Sequence, residues 1–321
     1  MTTVNIDPDG DLIIKIGWKK LRVSSHVLCL ASPVFKVMLR SNFIEGVTAE
    51  NSASNPKRIT LPDDDQAAFK TLCHVLHFQL DSVPQRLDID SLQELATLCD
   101  KYQVITPMLN CATLWVCELA SDSDIETMVR LLIIAIDFDL PDAFNKVSRS
   151  LLRTHCGDVE SLQDYLAQYA PTDATVLDAF KDACKRLVSE IRGVIFNQIS
   201  DLARGSCKIC QRQAGFVLRF VQERPVLPGG YLSPWDFNLA VDELEGMDRL
   251  ELCHDLDCDC KAEGEAMGFV HRLKMQMKRT LKTHGLCLDC VKRPKTTQTK
   301  DSERTCRVRN CLHFTTLSLW K

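Results

Sequence analysis

The first hundred residues alternate short apolar runs with helical patterns. Apolar runs at 11–16 and 20–23 flank Gly17-Trp18-Lys19, and this spacing predicts a β-hairpin. Because the first run is rich in Leu and Ile, we expect its strand to be buried on both faces. Two short helices follow, the second opened by Pro33, and residues 58–61 form a further strand.

Helical periodicity then dominates up to residue 203. Three acids at 63–65 precede a helix that carries Phe69, and amphipathic patterns continue through 92–102 and 106–118. One long helix is predicted after Asp173 from a single apolar stripe made of Leu177, Phe180, Cys184, Leu187, Ile191, Ile195, Ile199 and Leu202. The predicted class is α+β: a small sheet with a helical cluster, a mainly helical region, and a Cys/His-rich module.

Composition indicates a globular chain of about two or three domains. The chain has 321 residues, 45% hydrophobic and 26% charged, with a formal net charge of -4. No apolar stretch approaches the roughly 20 residues that span a bilayer, so we expect no membrane association. The N-terminus is acidic and lacks an apolar signal segment, which favours the nucleus or cytoplasm.

The 16 cysteines fall into two groups. Seven lie singly among apolar neighbours, where cysteine behaves as a small hydrophobe: Cys29, Cys73, Cys99, Cys111, Cys117, Cys156 and Cys184. The other nine all follow residue 206, and eight of them form four close pairs. In a reducing compartment, clustered thiols hold metal or remain unoxidised more often than they form disulfides.

Five landmarks of the N-terminal third occur in the order typical of a BTB/POZ domain. They are Asp11-Leu-Ile-Ile14, the segment Leu21 to Leu39, Phe43-Ile-Glu45, Ile59 to Asp64 with Ala68-Phe69, and Leu92 to Val104. Together they resemble this family, most closely the variety common in fungal proteins. The resemblance implies a protein-interaction domain without an active site.

The resemblance also implies partner-binding residues. Asp11 matches the family's acid that faces a basic residue across a dimer pocket, but this chain has Ser25 where the basic residue usually stands. We therefore expect a weaker homodimer than is usual. Phe43 and Glu45 resemble the apolar-x-Glu segment that family members present to a cullin. Expected partners are the chain itself, another BTB protein, or a cullin.

The expected organisation has three parts. Residues 1–118 are the BTB/POZ domain, 119–203 a helical extension similar to a degenerate BACK region, and 204–321 a cysteine-rich region. That last region is polarised. Residues 236–265 carry eleven acids against two bases, a net of -9, and residues 269–321 carry thirteen bases against three acids, a net of +10. The two halves could pair with each other, or the basic part could contact nucleic acid, although no known DNA-reading motif is present.

Two C-x-x-C pairs, Cys207 with Cys210 and Cys287 with Cys290, predict a shared structural zinc with four thiolate ligands. The rival interpretation, unligated thiols, stays open, and so does a second site. Its ligands could come from Cys253, His254, Cys258, Cys260, His271, His284, Cys306, Cys311 and His313.

No motif for catalysis is present: the sequence has no Gly-rich phosphate loop, nucleophile elbow or His-Glu-x-x-His segment. We therefore expect a non-enzymatic interaction protein, with adaptor of a cullin ubiquitin ligase as the favoured role. The alternative is a transcriptional regulator or cofactor that acts through the basic cysteine-rich region.

Overall fold

The computed structural model describes residues 3–40, 52–120, 124–169, 174–204, 275–280, 284–292 and 306–307, with seven single residues between 211 and 240. Contacts divide the chain into two compact units. The first comprises Met1–Ser123 with Arg130–Ala143, and the second comprises Asp124–Val129 with Phe144–Lys321. Among the described helices, none combines the length and apolarity that crossing a bilayer requires. The predicted domain boundaries at 118 and 203 remain predictions.

The first unit contains a four-stranded sheet in the order β1-β3-β2-β4. The strands are β1 (Thr3–Asn5), β2 (Leu12–Ile16), β3 (Lys19–Val23) and β4 (Lys57–Thr60). Strands β2 and β3 form the predicted antiparallel hairpin, with Gly17 in a left-handed conformation (φ 53°) at the turn. The outer strands are parallel to their neighbours: β1 pairs with β3 and β4 pairs with β2.

The expectation that β2 is buried on both faces is wrong. Leu12, Ile14 and Ile16 are buried, whereas Ile13 is half-buried and Lys15 is exposed. Although β2 has a hydrogen-bonded strand on each side, only one face of the sheet packs on the core, so burial alternates along the strand. Lys15 was the sequence signal for this alternation.

Five α-helices lie among the described residues between 25 and 119. They are α1 (Ser25–Ala31), α2 (Pro33–Arg40), α3 (Gln66–Leu76), α4 (Ile89–Lys101) and α5 (Ile105–Leu119). Side-chain caps stabilise four of their starts, and at α2 the Ser32 hydroxyl accepts a hydrogen bond from the Phe35 amide. The Ser24 hydroxyl accepts a hydrogen bond from the Val27 amide, and Asp65 and Asp88 accept from amides in the first turns of α3 and α4.

Three aromatic rings pack where α2, α3 and α4 meet. Phe35 stacks on Tyr102 with ring centroids 4.3 Å apart, and Phe69 lies edge-on to both rings. The Tyr102 hydroxyl donates to the buried Asp64 carboxylate, which also accepts from Lys101. A buried charge is thereby both hydrogen-bonded and paired, as burial of a carboxylate requires.

The remaining helices are α6 (Ile125–Asp137), α7 (Pro141–Thr154), α8 (Val159–Tyr169) and α9 (Ala174–Arg204). The 31-residue α9 confirms the predicted long helix, and Phe180, Cys184, Leu187, Ile191, Ile195 and Ile199 of its stripe are buried. In the C-terminal region, the short helix Leu288–Val291 packs against α9. Residues 275–280 are helical and bury Met277.

Candidate functional site

Asp11 lies directly before β2 and is half-buried. Its carboxylate accepts hydrogen bonds from the Ser25 amide at 2.7 Å and from the Ser25 hydroxyl at 2.6 Å. Ser25, which stands where the resemblance implies a basic residue, therefore binds the acid within the same chain. His26, the next residue, is exposed, so it takes no part in this contact.

Four of the residues predicted to form sites lie outside the described residues. Phe43 and Glu45 fall between α2 and β4, and Cys207 and Cys210 follow α9. The cullin contact and the four-cysteine site that pairs both C-x-x-C segments thus remain predictions.

The second C-x-x-C pair adopts a compact turn. Cys287 precedes the short helix Leu288–Val291, and its carbonyl accepts hydrogen bonds from the Cys290 amide at 3.1 Å and the Val291 amide at 3.0 Å. This turn places the Cys287 and Cys290 thiols on the same side of the backbone. Cys287 is buried and Cys290 is half-buried.

Cys306 joins this pair. The Sγ atoms of Cys287, Cys290 and Cys306 all lie within 4.8 Å of one another, and those of Cys290 and Cys306 are 3.6 Å apart. Sequence spacing had placed Cys306 only among the unassigned ligands, because fifteen residues separate it from Cys290. The cluster as described has the composition of a metal centre with three thiolate ligands.

An ion pair joins the two segments that carry these thiols. Arg307 donates to the Asp289 carboxylate through its backbone amide at 2.7 Å and through its guanidinium at 2.9 and 2.7 Å. Asp289 precedes Cys290 and Arg307 follows Cys306, so the pair holds two cysteine segments in register. A guanidinium that binds one carboxylate at more than one point fixes direction as well as distance.

Helix α7 anchors the chain just before Cys287. The Asn145 side-chain amide donates to the Leu286 carbonyl at 3.0 Å, and the Leu286 amide donates to the Ser148 hydroxyl at 2.8 Å. Both backbone groups of Leu286 are thus satisfied by one face of α7. At Gly285, an added Cβ would lie 2.5 Å from the Asn145 carbonyl oxygen, so no side chain fits there.

Helix α9 supplies a second anchor. The buried His284 has its Nδ1 atom 2.5 Å from the Thr280 carbonyl oxygen and its Nε2 atom 3.1 Å from a carboxylate oxygen of Glu190. Sequence analysis missed Asn145, Ser148 and Glu190. The only signal for the first two was a pair of polar residues, three positions apart, beside the apolar stripe of α7.

The seven single cysteines are mainly structural, as predicted. Five of them are buried, and Cys111 and Cys117 are half-buried. Burial raises the pKa of the Cys73 thiol far above its usual range and raises the pKa of Cys99 to about 12. The Cys73 and Cys99 thiols are therefore protonated at neutral pH and pack in the core of the first unit.

Comparison with protein families identifies the first unit. Residues 9–116, about a third of the chain, match the family model of the BTB/POZ domain. A search among curated proteins found no match to the chain. The matched residues cover the sheet from β2 onward and helices α1 to α5, with Asp11 near their start. This part of the chain is a BTB/POZ domain, which is a non-enzymatic module for protein–protein interaction and dimerisation.

Proposed function

We propose that this chain is a non-enzymatic interaction protein and that it serves as a substrate adaptor of a cullin ubiquitin ligase. The observation that carries the proposal is the BTB/POZ domain at residues 9–116. The absence of any catalytic motif in the sequence agrees with a binding role. The proposed location is the nucleus or the cytoplasm, and the proposed cofactor is a structural zinc in the cysteine-rich region.

The adaptor role is supported by Phe43-Ile-Glu45, which resembles the segment that related domains present to a cullin. In the sequence it follows α2, which ends at Arg40, and precedes β4, which begins at Lys57. The helical region after residue 116 is consistent with this role, because an adaptor needs a second part that binds a substrate. Because Ser25 of the same chain binds the Asp11 carboxylate, we expect contact with a second BTB domain through Asp11 to be weak.

The alternative is a transcriptional regulator or cofactor. The net charge of +10 over residues 269–321 favours it, because a basic surface attracts nucleic acid. No DNA-reading motif supports direct sequence recognition, so this alternative works best through a protein partner on chromatin.

Affinity purification and proximity labelling of the full chain in its own cells test the proposal. We expect a cullin to co-purify with the wild type, and Phe43→Ala or Glu45→Ala to remove it. Phe196→Ala and Glu160→Ala are matched controls, since both side chains are exposed in the helical region. Absence of cullin from the wild-type sample, or its full retention by both variants, excludes the adaptor role. Chromatin proteins in its place favour the alternative.

A further inference from the structure

We propose that Cys287, Cys290 and Cys306 bind a single Zn²⁺ ion, and that this ion fastens the C-terminal segment to helices α7 and α9. The inference rests on the zinc included in the proposed function and is independent of the adaptor role. It assigns Cys306 as a ligand, which sequence spacing did not.

The sulfur positions match a tetrahedral ion. With Zn–S bonds of about 2.3 Å, two thiolates on one tetrahedral zinc lie roughly 3.8 Å apart. The Cys290 and Cys306 sulfurs are 3.6 Å apart, and all three sulfurs lie within 4.8 Å of one another. A disulfide would require a separation of about 2.05 Å and would use only two of the three thiols.

The donor set selects the class of metal. Thiolates are soft ligands that suit Zn²⁺ and disfavour Mg²⁺ and Ca²⁺, which prefer oxygen. Each thiol loses its proton when it binds, so three thiolates and one Zn²⁺ leave a net charge of about -1. Among the described residues these three thiolates are the ligands, and they leave one position of a tetrahedral ion, so this proposal competes with the four-thiolate site that uses both Cys207 and Cys210.

The segment around Cys287, which we call the base of the site, is held in place by contacts that do not involve a metal. Leu286, one residue before the first ligand, has both backbone groups hydrogen-bonded to Asn145 and Ser148 of α7. Leu286 and Leu288, on either side of Cys287, are fully buried. Cys287 is therefore held by a packed segment, and such support keeps metal ligands in place.

Zinc binding and docking of the segment are consequently coupled. The segment that carries Cys306 reaches the base through the thiol cluster and through the Arg307–Asp289 pair. In the unfolded chain these ligands are not held together, so the free energy of zinc binding adds to the stability of the docked state. Removing the ion should release the segment around Cys306 first.

The ligand set is tested on full-length protein purified under reducing conditions without chelator. We expect Cys306→Ser to lose one equivalent of zinc per chain, measured by elemental analysis, and Cys306→His to retain it. Cys111→Ser is the matched control, because this half-buried cysteine lies in α5. With Co²⁺ in place of zinc, the thiolate charge-transfer absorption should be lost in Cys306→Ser, weaken in Cys306→His, which keeps two of the three thiolates, and stay unchanged in Cys111→Ser.

The docking is tested separately with Gly285→Ala, which keeps all three thiols. Because a Cβ at this position overlaps Asn145, we expect zinc affinity in a chelator competition to fall by about tenfold or more. Gly193→Ala is the control, since a Cβ added there has no atom within 4 Å apart from its chain neighbours and the backbone of its own helix. An unchanged affinity in Gly285→Ala overturns the coupling.

Different results would overturn the proposed ligand set and the presence of zinc itself. Full zinc content in Cys306→Ser overturns the ligand set but leaves the zinc of the proposed function standing. Wild-type protein without zinc, and without a charge-transfer band on addition of Co²⁺, overturns both. Neither result bears on cullin binding. If Cys306→Ser does not fold, the Co²⁺ spectrum of Cys306→His still decides the ligand set, because an unchanged thiolate charge-transfer band in that variant overturns it.

Discussion

The Asp11 carboxylate accepts two hydrogen bonds from Ser25, one from the backbone amide and one from the hydroxyl. Ser25 begins α1, so the acid also satisfies an amide that has no partner within the helix. The family resemblance implies a basic residue across a dimer interface as the partner of this acid, whereas here a neutral side chain of the same chain binds it. Hydrogen bonds within one chain, between the start of β2 and the start of α1, thus take the place of a charge pair.

This contact predicts weak self-association. We expect light scattering of the full-length protein to give a monomer or a readily dissociating dimer at low micromolar concentration. Ser25→Lys restores a basic residue at this position and should strengthen the dimer, whereas Ser82→Lys, at an exposed position, should not. A wild-type dimer that persists on dilution would contradict the prediction.

We expect that substitution of Asp64 strongly lowers the stability of the BTB/POZ domain. Its side chain is buried and accepts from Tyr102 and Lys101, and burial together with this acid raises the pKa of Tyr102. Removing the acid leaves the buried Tyr102 hydroxyl without this hydrogen-bond acceptor. Asp64→Ala should therefore lower the free energy of unfolding by about 2 kcal/mol. Urea denaturation measures this. The neighbouring Asp63 is exposed, and Asp63→Ala should change stability by less than about 0.5 kcal/mol.

The hydrogen bonds of His77 lead us to expect that the folded protein becomes less stable in mild acid. Its Nδ1 atom donates to the Cys73 carbonyl and its Nε2 atom accepts from the Ser24 amide, so the folded state holds a neutral ring. Burial, the largest cause, lowers the pKa of His77, partly opposed by the Cys73 carbonyl and Asp7. The unfolded chain therefore binds a proton first, and stability should fall as pH drops below about 6.5.

Thermal unfolding between pH 7.5 and 5 tests this. His77→Gln should reduce the slope of stability against pH relative to wild type, and His26→Gln, at an exposed position, should leave it unchanged. An identical slope in wild type and His77→Gln would show that other groups control the acid response.

Local sequence determined the secondary structure of this protein. The hairpin around Gly17, the helix that begins at Pro33 and the 31-residue α9 were all predictable, because they depend on turn residues, caps and apolar spacing within one element. The order of landmarks also predicted the BTB/POZ domain. For the hairpin and the two helices, the deciding residues lie close together in the chain, whereas the landmarks of the domain are spread from Asp11 to Val104.

Tertiary structure alone decided which distant residues meet. Strand β1 was not predicted, because three residues become a strand only through pairing with β3. The contact between Asn145 and Leu286 spans 141 residues, and no local pattern marks it. Cys306 is one of many cysteines in the C-terminal region, and only the fold brings it to Cys287 and Cys290. The spacing of apolar side chains shows which face of a helix or strand is buried. Which other element packs against that face depends on how the whole chain folds.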